Sequence, residues 1–268
     1  MFAKTKQKIN LGMTIKVIIT GANSGIGKAL ALEYAKKGAV LGLIARDSDK
    51  LVSLQKILPC PSQIFSIDVT DIAQCRWAAE EFMAQHGIPD VVIANAGISQ
   101  GTLTENFTDL KIFEEIIKTN LFGVQNTFYP FIQPFKKRKR GQLVGISSVA
   151  GIRGIPGSGA YSASKAALTN YLESLRIEML EFNIYVSTIA PGYIRTPMTN
   201  VNNFTMPFLI NSDKAAKKII RSIEKKTRFT IIPFPMNIIG RIIRILPCFL
   251  WDCLARNAPR KKRVSNKS

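Results

Sequence analysis

The chain has 268 residues, 46% of them hydrophobic, enough to bury the core of one large α/β domain rather than two small ones. Its 37 lysines and arginines outweigh 18 acids for a formal net charge of +19, yet no zinc-finger spacing, RNA-recognition signature or aromatic-basic array accompanies them, so no specific nucleic-acid partner is expected. Four scattered cysteines and a single histidine supply no metal framework; no metal site is expected, and a reduced, cytoplasmic setting is the simplest fit.

Residues 1–14 read as an N-terminal extension, basic but without the apolar core and cleavage site of a secretory signal, and Met13 is an alternative start. From Lys16 the chain alternates short apolar runs with longer amphipathic ones. Strands are expected at Lys16–Thr20, Val40–Ala45, Ile64–Ile67, Val91–Ala94, Leu143–Ser147, Val186–Ile189 and Phe229–Ile232. Helices are expected at Ile26–Lys37 and over 48–57, 71–85, 109–133, 160–181 and 212–225. Near-continuous apolar strands between helices argue for a Rossmann-type three-layer α/β fold, with a mainly parallel sheet covered on both faces over residues 15–235. No stretch reaches about 18 apolar residues without charge, so no membrane-spanning helix is expected.

The first strand runs into Thr20-Gly-Ala-Asn-Ser-Gly-Ile-Gly27 and then a helix. Gly21, Gly25 and Gly27 allow a tight turn and close backbone approach, while Asn23, Ser24 and Ile26 lie where free helix amides can meet a pyrophosphate. Where an acid would bind a ribose 2′-hydroxyl, the second strand ends in Ala45 and Arg46, so NADP(H) is the expected cofactor and NAD(H) the less favoured one. Asp68, with Val69, follows the third strand where it can accept from an adenine amino group, and Asn95-Ala96-Gly97 ends the fourth.

Tyr161 and Lys165 are four apart in a helical stretch and therefore share a face. A phenol of ordinary pKa about 10 is a poor acid or base at neutral pH, and a neighbouring cation favours its ionised form. With the glycine turn, Asp68, Asn95-Ala-Gly97, Asn120, Ser147-Ser148 and Pro191-Gly192 in order, the chain resembles a single-domain short-chain dehydrogenase/reductase from about residue 15 to 233.

That resemblance implies a seven-stranded sheet, a nicotinamide cofactor and a homodimer or homotetramer. It implies Tyr161 as acid/base, Lys165 as the ribose-binding lysine that lowers the tyrosine pKa, and Asn120 as holder of a lysine-linked water. Ser148, thirteen residues before Tyr161, is the implied substrate-orienting serine in preference to Ser147. Pro191, Gly192, Ile194 and Thr196 match the loop beside the nicotinamide. The expected reaction interconverts a small carbonyl compound and its alcohol. Ile152, Ile155, Pro156, Met198, Phe204, Met206, Phe208 and Leu209 suggest an apolar pocket and a lipophilic substrate. His86 ends a surface helix and receives no role.

Residues 236–268 form an apolar-basic segment in which Arg241 and Arg244 share a helix face opposite several isoleucines. Three placements follow: over the cleft, against another subunit, or as peripheral contact on an anionic membrane. This segment and the block Lys136-Lys-Arg-Lys-Arg140 also motivate an alternative function, a dinucleotide-binding interaction protein with weak catalysis, recruited by its basic segments.

Overall fold

A computed structural model describes residues 14–261 and 263; residues 1–13 of the expected N-terminal extension and the chain beyond Arg263 lie outside the described residues. Seven parallel strands form one sheet in the order β3-β2-β1-β4-β5-β6-β9. They are β1 Lys16–Thr20, β2 Val40–Ala45, β3 Ser62–Ser66, β4 Val91–Ala94, β5 Gly141–Ile146, β6 Ile184–Pro191 and β9 Phe229–Ile232. A two-residue parallel pair, β7 Ile194–Arg195 with β8 Ile210–Asn211, stands apart from it.

Successive side chains of a strand face opposite layers, and β1 shows the consequence. Val17 and Ile19 join one core with Leu30 and Tyr34 of α1 (Gly25–Ala35), Leu51 and Leu54 of α2 (Ser48–Ile57), and Ile219 and Ile223 of α8 (Ser212–Glu224). Ile18 points to the other core, with Phe82 of α3 (Ile72–His86), Phe128, Phe131 and Phe135 of α5 (Gly123–Arg138), and Leu168 and Leu172 of α6 (Gly159–Glu178). Burial on both faces explains why these strands read as unbroken apolar runs.

The helix expected over 109–133 is three pieces: α4 Thr108–Ile117, a π-helical turn Lys118–Phe122, and α5, which continues past Pro130 and Pro134. The phenylalanines at 128, 131 and 135 recur at helical spacing on the buried face and carry α5 to Arg138. The basic block at its end has structural work. Arg138 donates to the carbonyls of Ile88 (3.1 Å) and Pro89 (2.6 Å), Arg140 bonds Asp90 at 2.7 Å, and Lys136 lies 3.8 Å from the Phe182 ring centroid.

After β9 the chain forms α9 Phe234–Ile245 and α10 Cys248–Ala255. Met236 and Ile239 of α9 pack with Ile152, Ala190 and Ile231, so Ile152 belongs to the joint holding the C-terminal segment. Among the described residues no helix is long and apolar enough to cross a membrane.

Candidate active site

The strand order reverses between β1 and β4, and a ligand crevice at the carboxyl ends of the strands is expected there. A cleft of about 620 Å³ opens at that place, a volume suited to a small-molecule or cofactor ligand. Nearly all the residues singled out from sequence line it: Gly21, Asn23 to Ile26, Arg46, Asp68, Val69, Asn95 to Gly97, Ser148, Tyr161, Lys165, Pro191, Gly192, Ile194 and Thr196. Gly27 and Asn120 stand behind its wall and act through their neighbours.

Gly27 shows why the turn is glycine. A Cβ there would lie 2.1 Å from the Gly21 carbonyl oxygen, and Gly21 and Gly25 have φ of 64° and 51°, in the left-handed region. Asn95 ties the turn to β4 by donating from Nδ2 to the Thr20 carbonyl at 2.9 Å, while Thr20 Oγ1 accepts from the amides of Asn95 and Ala96, both at 3.0 Å. The first turn of α1 carries no acid, and Ser24 at its N-cap makes no side-chain cap bond. Its first amides are thus available to an anionic ligand, and the cradle fits a dinucleotide pyrophosphate.

At the far end of the cleft, Arg46 lies 3.8 Å from Asp68 with its side chain 71% exposed, leaving guanidinium donors to spare. Asp68 also accepts from the Thr70 amide and hydroxyl, both at 2.9 Å. Sequence reasoning missed Lys50, which lines the same end and bonds Asp47 at 2.6 Å. The signal was present: Lys50 follows Arg46 by four residues, in the first turn of α2.

Ser148 follows β5, Tyr161 opens α6, and Lys165 is one turn further on. Gly151 makes their convergence possible, since a Cβ there would stand 2.7 Å from the Lys165 carbonyl carbon. The short 3-10 turn Val149–Gly151 can therefore lie against α6. Ser147 Oγ donates to the Lys165 carbonyl at 3.0 Å and pairs with Thr169 at 2.8 Å, whereas Ser148 Oγ accepts from the Ala150 amide at 3.1 Å, donates to the Pro191 carbonyl at 3.4 Å and lines the cleft with Tyr161.

Burial pushes the Tyr161 phenol up from its ordinary value, and the neighbouring Ser148 hydroxyl pulls it back. The Lys165 ammonium is 5.8 Å from the Tyr161 ring centroid and donates to the Ile146 carbonyl at 2.8 Å. Burial brings Lys165 itself down to about 8. The influences on the phenol are thus burial first and Ser148 second, with Lys165 turned toward the end of β5.

Asn120 is fully buried on the π-helical turn. Its Oδ1 accepts from the Ile98 amide at 2.8 Å, and its Nδ2 donates to the Ile98 carbonyl at 2.9 Å and to Ser164 Oγ at 3.0 Å. Asn120 therefore clamps the segment after β4 onto α6, beside Lys165. In the loop after β6, which carries the short helix α7 (Pro197–Asn200), Thr199 Oγ1 donates to the Ile194 carbonyl at 2.6 Å and accepts from the Thr196 amide at 3.0 Å. Met198 lines the cleft, Phe204 packs edge-on against Tyr193, and Phe208 is half-exposed.

A glycine turn at the switch point of a parallel sheet, with Ser, Tyr and Lys converging beside it, defines a dinucleotide-dependent oxidoreductase class. A family model described as short chain dehydrogenase matches residues 16–206. An uncharacterized oxidoreductase of Myxococcus xanthus is 34% identical over 242 residues, 89% of this chain and 95% of its own length. The 11-beta-hydroxysteroid dehydrogenase-like 2 protein of Arabidopsis thaliana is 34% identical over 240 residues, 86% of this chain and 77% of that one. An alcohol dehydrogenase of Thermococcus sibiricus, solved with 5-hydroxy-NADP, superposes with a TM-score of 0.72 at 25% identity, covering 82% of this chain and 96% of that one. The chain belongs to the short-chain dehydrogenase/reductase family and is an oxidoreductase of CH–OH and C=O groups that binds a nicotinamide dinucleotide.

Proposed function

We propose that this enzyme is an NADP(H)-dependent reductase of lipophilic ketones or aldehydes, with Tyr161 as proton donor. The observation that carries the reading is the convergence of Ser148, Tyr161 and Lys165 on one cleft, with Lys165 one helical turn from Tyr161 on α6. When bound, the nicotinamide supplies the hydride for carbonyl reduction. Tyr161 gives its proton to the carbonyl oxygen as negative charge grows there, and Ser148 donates a hydrogen bond to the same oxygen. A phenol raised by burial stays protonated at neutral pH, which suits reduction better than oxidation. Lys165 supplies positive charge near the tyrosine and binds the cofactor ribose. Asn120 fixes the backbone beside Lys165, where a water can return the proton.

Arg46 and Lys50 together support the NADP(H) preference, two cations at the end of the cleft where a 2′-phosphate would lie. The Thermococcus sibiricus relative, bound to an NADP analogue, points the same way, and the name of the Arabidopsis relative favours a lipophilic substrate. Exposed Leu110 and Phe113 on α4 and Tyr129 on α5 favour association of two copies. Peripheral contact with an anionic membrane through α9 and α10 stays part of the proposal, carried by exposed Ile238, Ile242, Ile245 and Phe249. Recruitment by the basic block at 136–140 is the weaker reading, because three of its side chains hold neighbouring parts of the fold.

The test is NADPH and NADH consumption over a panel of ketones and aldehydes, with Tyr161→Phe alongside. Tyr161→Phe is expected to lower kcat by about 10²–10⁴ with cofactor binding retained, the range for losing a general acid. Turnover unchanged by that substitution overturns the assignment.

A further inference from the structure

The end of the chain returns to the catalytic loop. Arg153 donates to the Leu246 carbonyl at 3.0 Å, and the Trp251 indole donates to the Gly154 carbonyl at 3.2 Å. Arg260 lies against Gly157, where an added Cβ would meet its Cβ at 3.0 Å. Residues 152–158 are the loop between Ser148 and Tyr161, so the C-terminal segment is fastened to the loop joining these two hydroxyls. The final anchor is an ion pair: Arg263 bonds both carboxylate oxygens of Asp109, at 2.7 and 3.2 Å, and Asp109 is only 3% exposed. The Leu103 amide donates to the same carboxylate at 2.8 Å.

Between these anchors, Lys261 is carried over the catalytic tyrosine. Its ammonium stands 5.0 Å from the Tyr161 ring centroid and donates to the Ser99 hydroxyl, two residues beyond Gly97 of the cleft wall. Among the described residues no carboxylate pairs with it, and the acid that the tail does engage is taken by Arg263. A half-buried ammonium whose partners are a hydroxyl and an aromatic face has lost water without gaining a counter-charge. Burial brings it down to about 8, the direction of a cation lacking its anion.

We propose that Lys261 is a specificity-determining residue that pairs with an oxygen anion, a carboxylate or a phosphate-type group, carried by the substrate near its reacting carbonyl. The Arg263–Asp109 pair is the latch that positions it. The substrate class is therefore an oxo acid with an apolar body, which deepens the carbonyl-reductase reading and rests on it. Neutral ketones of the same size fit the apolar surroundings but leave Lys261 without a counter-ion.

The probes are 4-oxononanoate against its methyl ester, for a carboxylate, and 2-oxoheptylphosphonate against its dimethyl ester, for a phosphate-type anion. Steady-state reduction with NADPH is expected to favour an acid over its ester by about tenfold or more in kcat/KM, mainly through KM, the scale of one charge-assisted hydrogen bond. The pair with the larger ratio identifies the anion. Lys261→Met should bring that ratio to about one, Lys261→Arg should keep it, and Asp109→Asn, which retains an acceptor for the Leu103 amide, should lower it by freeing the latch.

Calorimetric binding of the same four compounds to the NADP⁺-loaded protein gives a readout independent of turnover. Lys261-dependent binding of the acids without any turnover supports the cation site and removes the reductase reading. Equal handling of acid and ester by the unaltered protein overturns the inference, as does a preference that survives Lys261→Met. A uniform gain for acids and esters alike in Lys261→Met also overturns it, because the tail is then only a plug.

Discussion

The two sides of the cleft are built from different parts of the chain. The dinucleotide side hangs on the ends of β1, β2 and β4, whose pairings are fixed by parallel ladders inside two apolar cores. Over Tyr161, beyond the residues that line the cleft, lies the last described stretch of the chain, held by single side-chain bonds and one ion pair. The first wall can place backbone groups to a fraction of an ångström because shifting it would break the sheet. The second can be exchanged or released without touching either core. A fixed seat for the dinucleotide and, under the proposal above, a releasable stretch of chain beside the substrate follow from that difference.

The sharpest way to break the comparison is at the rigid wall. Gly27→Ala places a methyl group 2.1 Å from the Gly21 carbonyl oxygen, a backbone atom that α1 and β1 hold in place. Overpacking of this kind costs about 1–3 kcal/mol. The expected outcome is loss of dinucleotide binding in a titration of NADPH fluorescence, together with a lower melting temperature. Retained nanomolar-to-micromolar binding would mean that the turn relaxes, and that this wall is no more fixed than the tail.

A smaller effect is expected from Arg46→Ala, at the solvent end of the same wall. An exposed guanidinium pairing with a 2′-phosphate should be worth about tenfold in Kd, in the range of a charge-assisted bond. NADPH affinity should fall by that factor while NADH affinity stays within about twofold, and Lys50→Ala should add to the loss. If both cofactors weaken equally, Arg46 supports the fold rather than the choice of cofactor.

The same contrast decides how much was legible in the sequence. The sheet was readable because buried parallel strands leave apolar runs, and the glycine turn because close backbone approach admits few other residues. Strand ends differed by up to two residues at β3, β5 and β6, where the apolar run and the ladder do not coincide. The π-helical turn that presents Asn120 had no signal, since Lys118 to Phe122 is compatible with an ordinary helix. Gly151 leaves no local signal for a related reason: its constraint comes from α6, a neighbour in space. The tail was visible only as apolar-basic composition. That Lys261 meets Ser99 and Arg263 meets Asp109 depends on side chains more than 150 positions apart, which no local pattern encodes.

Two lysines allow the comparison to be made by titration. Lys165 and Lys261 are both brought down to about 8, each by burial. An unfolded lysine keeps its proton to about pH 10.4, so from pH 8 to 10 the unfolded chain binds more protons than the folded one at such a site. These two sites therefore raise stability with pH across that window, partly offset from about pH 9 by the buried Cys75 thiol, which burial pushes up to about 12 so that the unfolded chain loses its proton first. Above that window the buried Tyr34 phenol, pushed up by burial, acts with the opposite sign, because the unfolded tyrosine then loses its proton first. Lys165 sits on α6 with its ammonium bonded to the Ile146 carbonyl, so its burial is set by that helix and the end of β5. Lys261 can regain water at the cost of a few surface bonds, so its contribution is capped by the free energy of releasing the tail. Urea midpoints measured from pH 7.5 to 10 should rise in the unaltered protein, flatten in Lys165→Met, and keep most of their slope in Lys261→Met. A slope that disappears with Lys261 instead would show the tail held as firmly as the helix beneath it, and the two walls would then be alike.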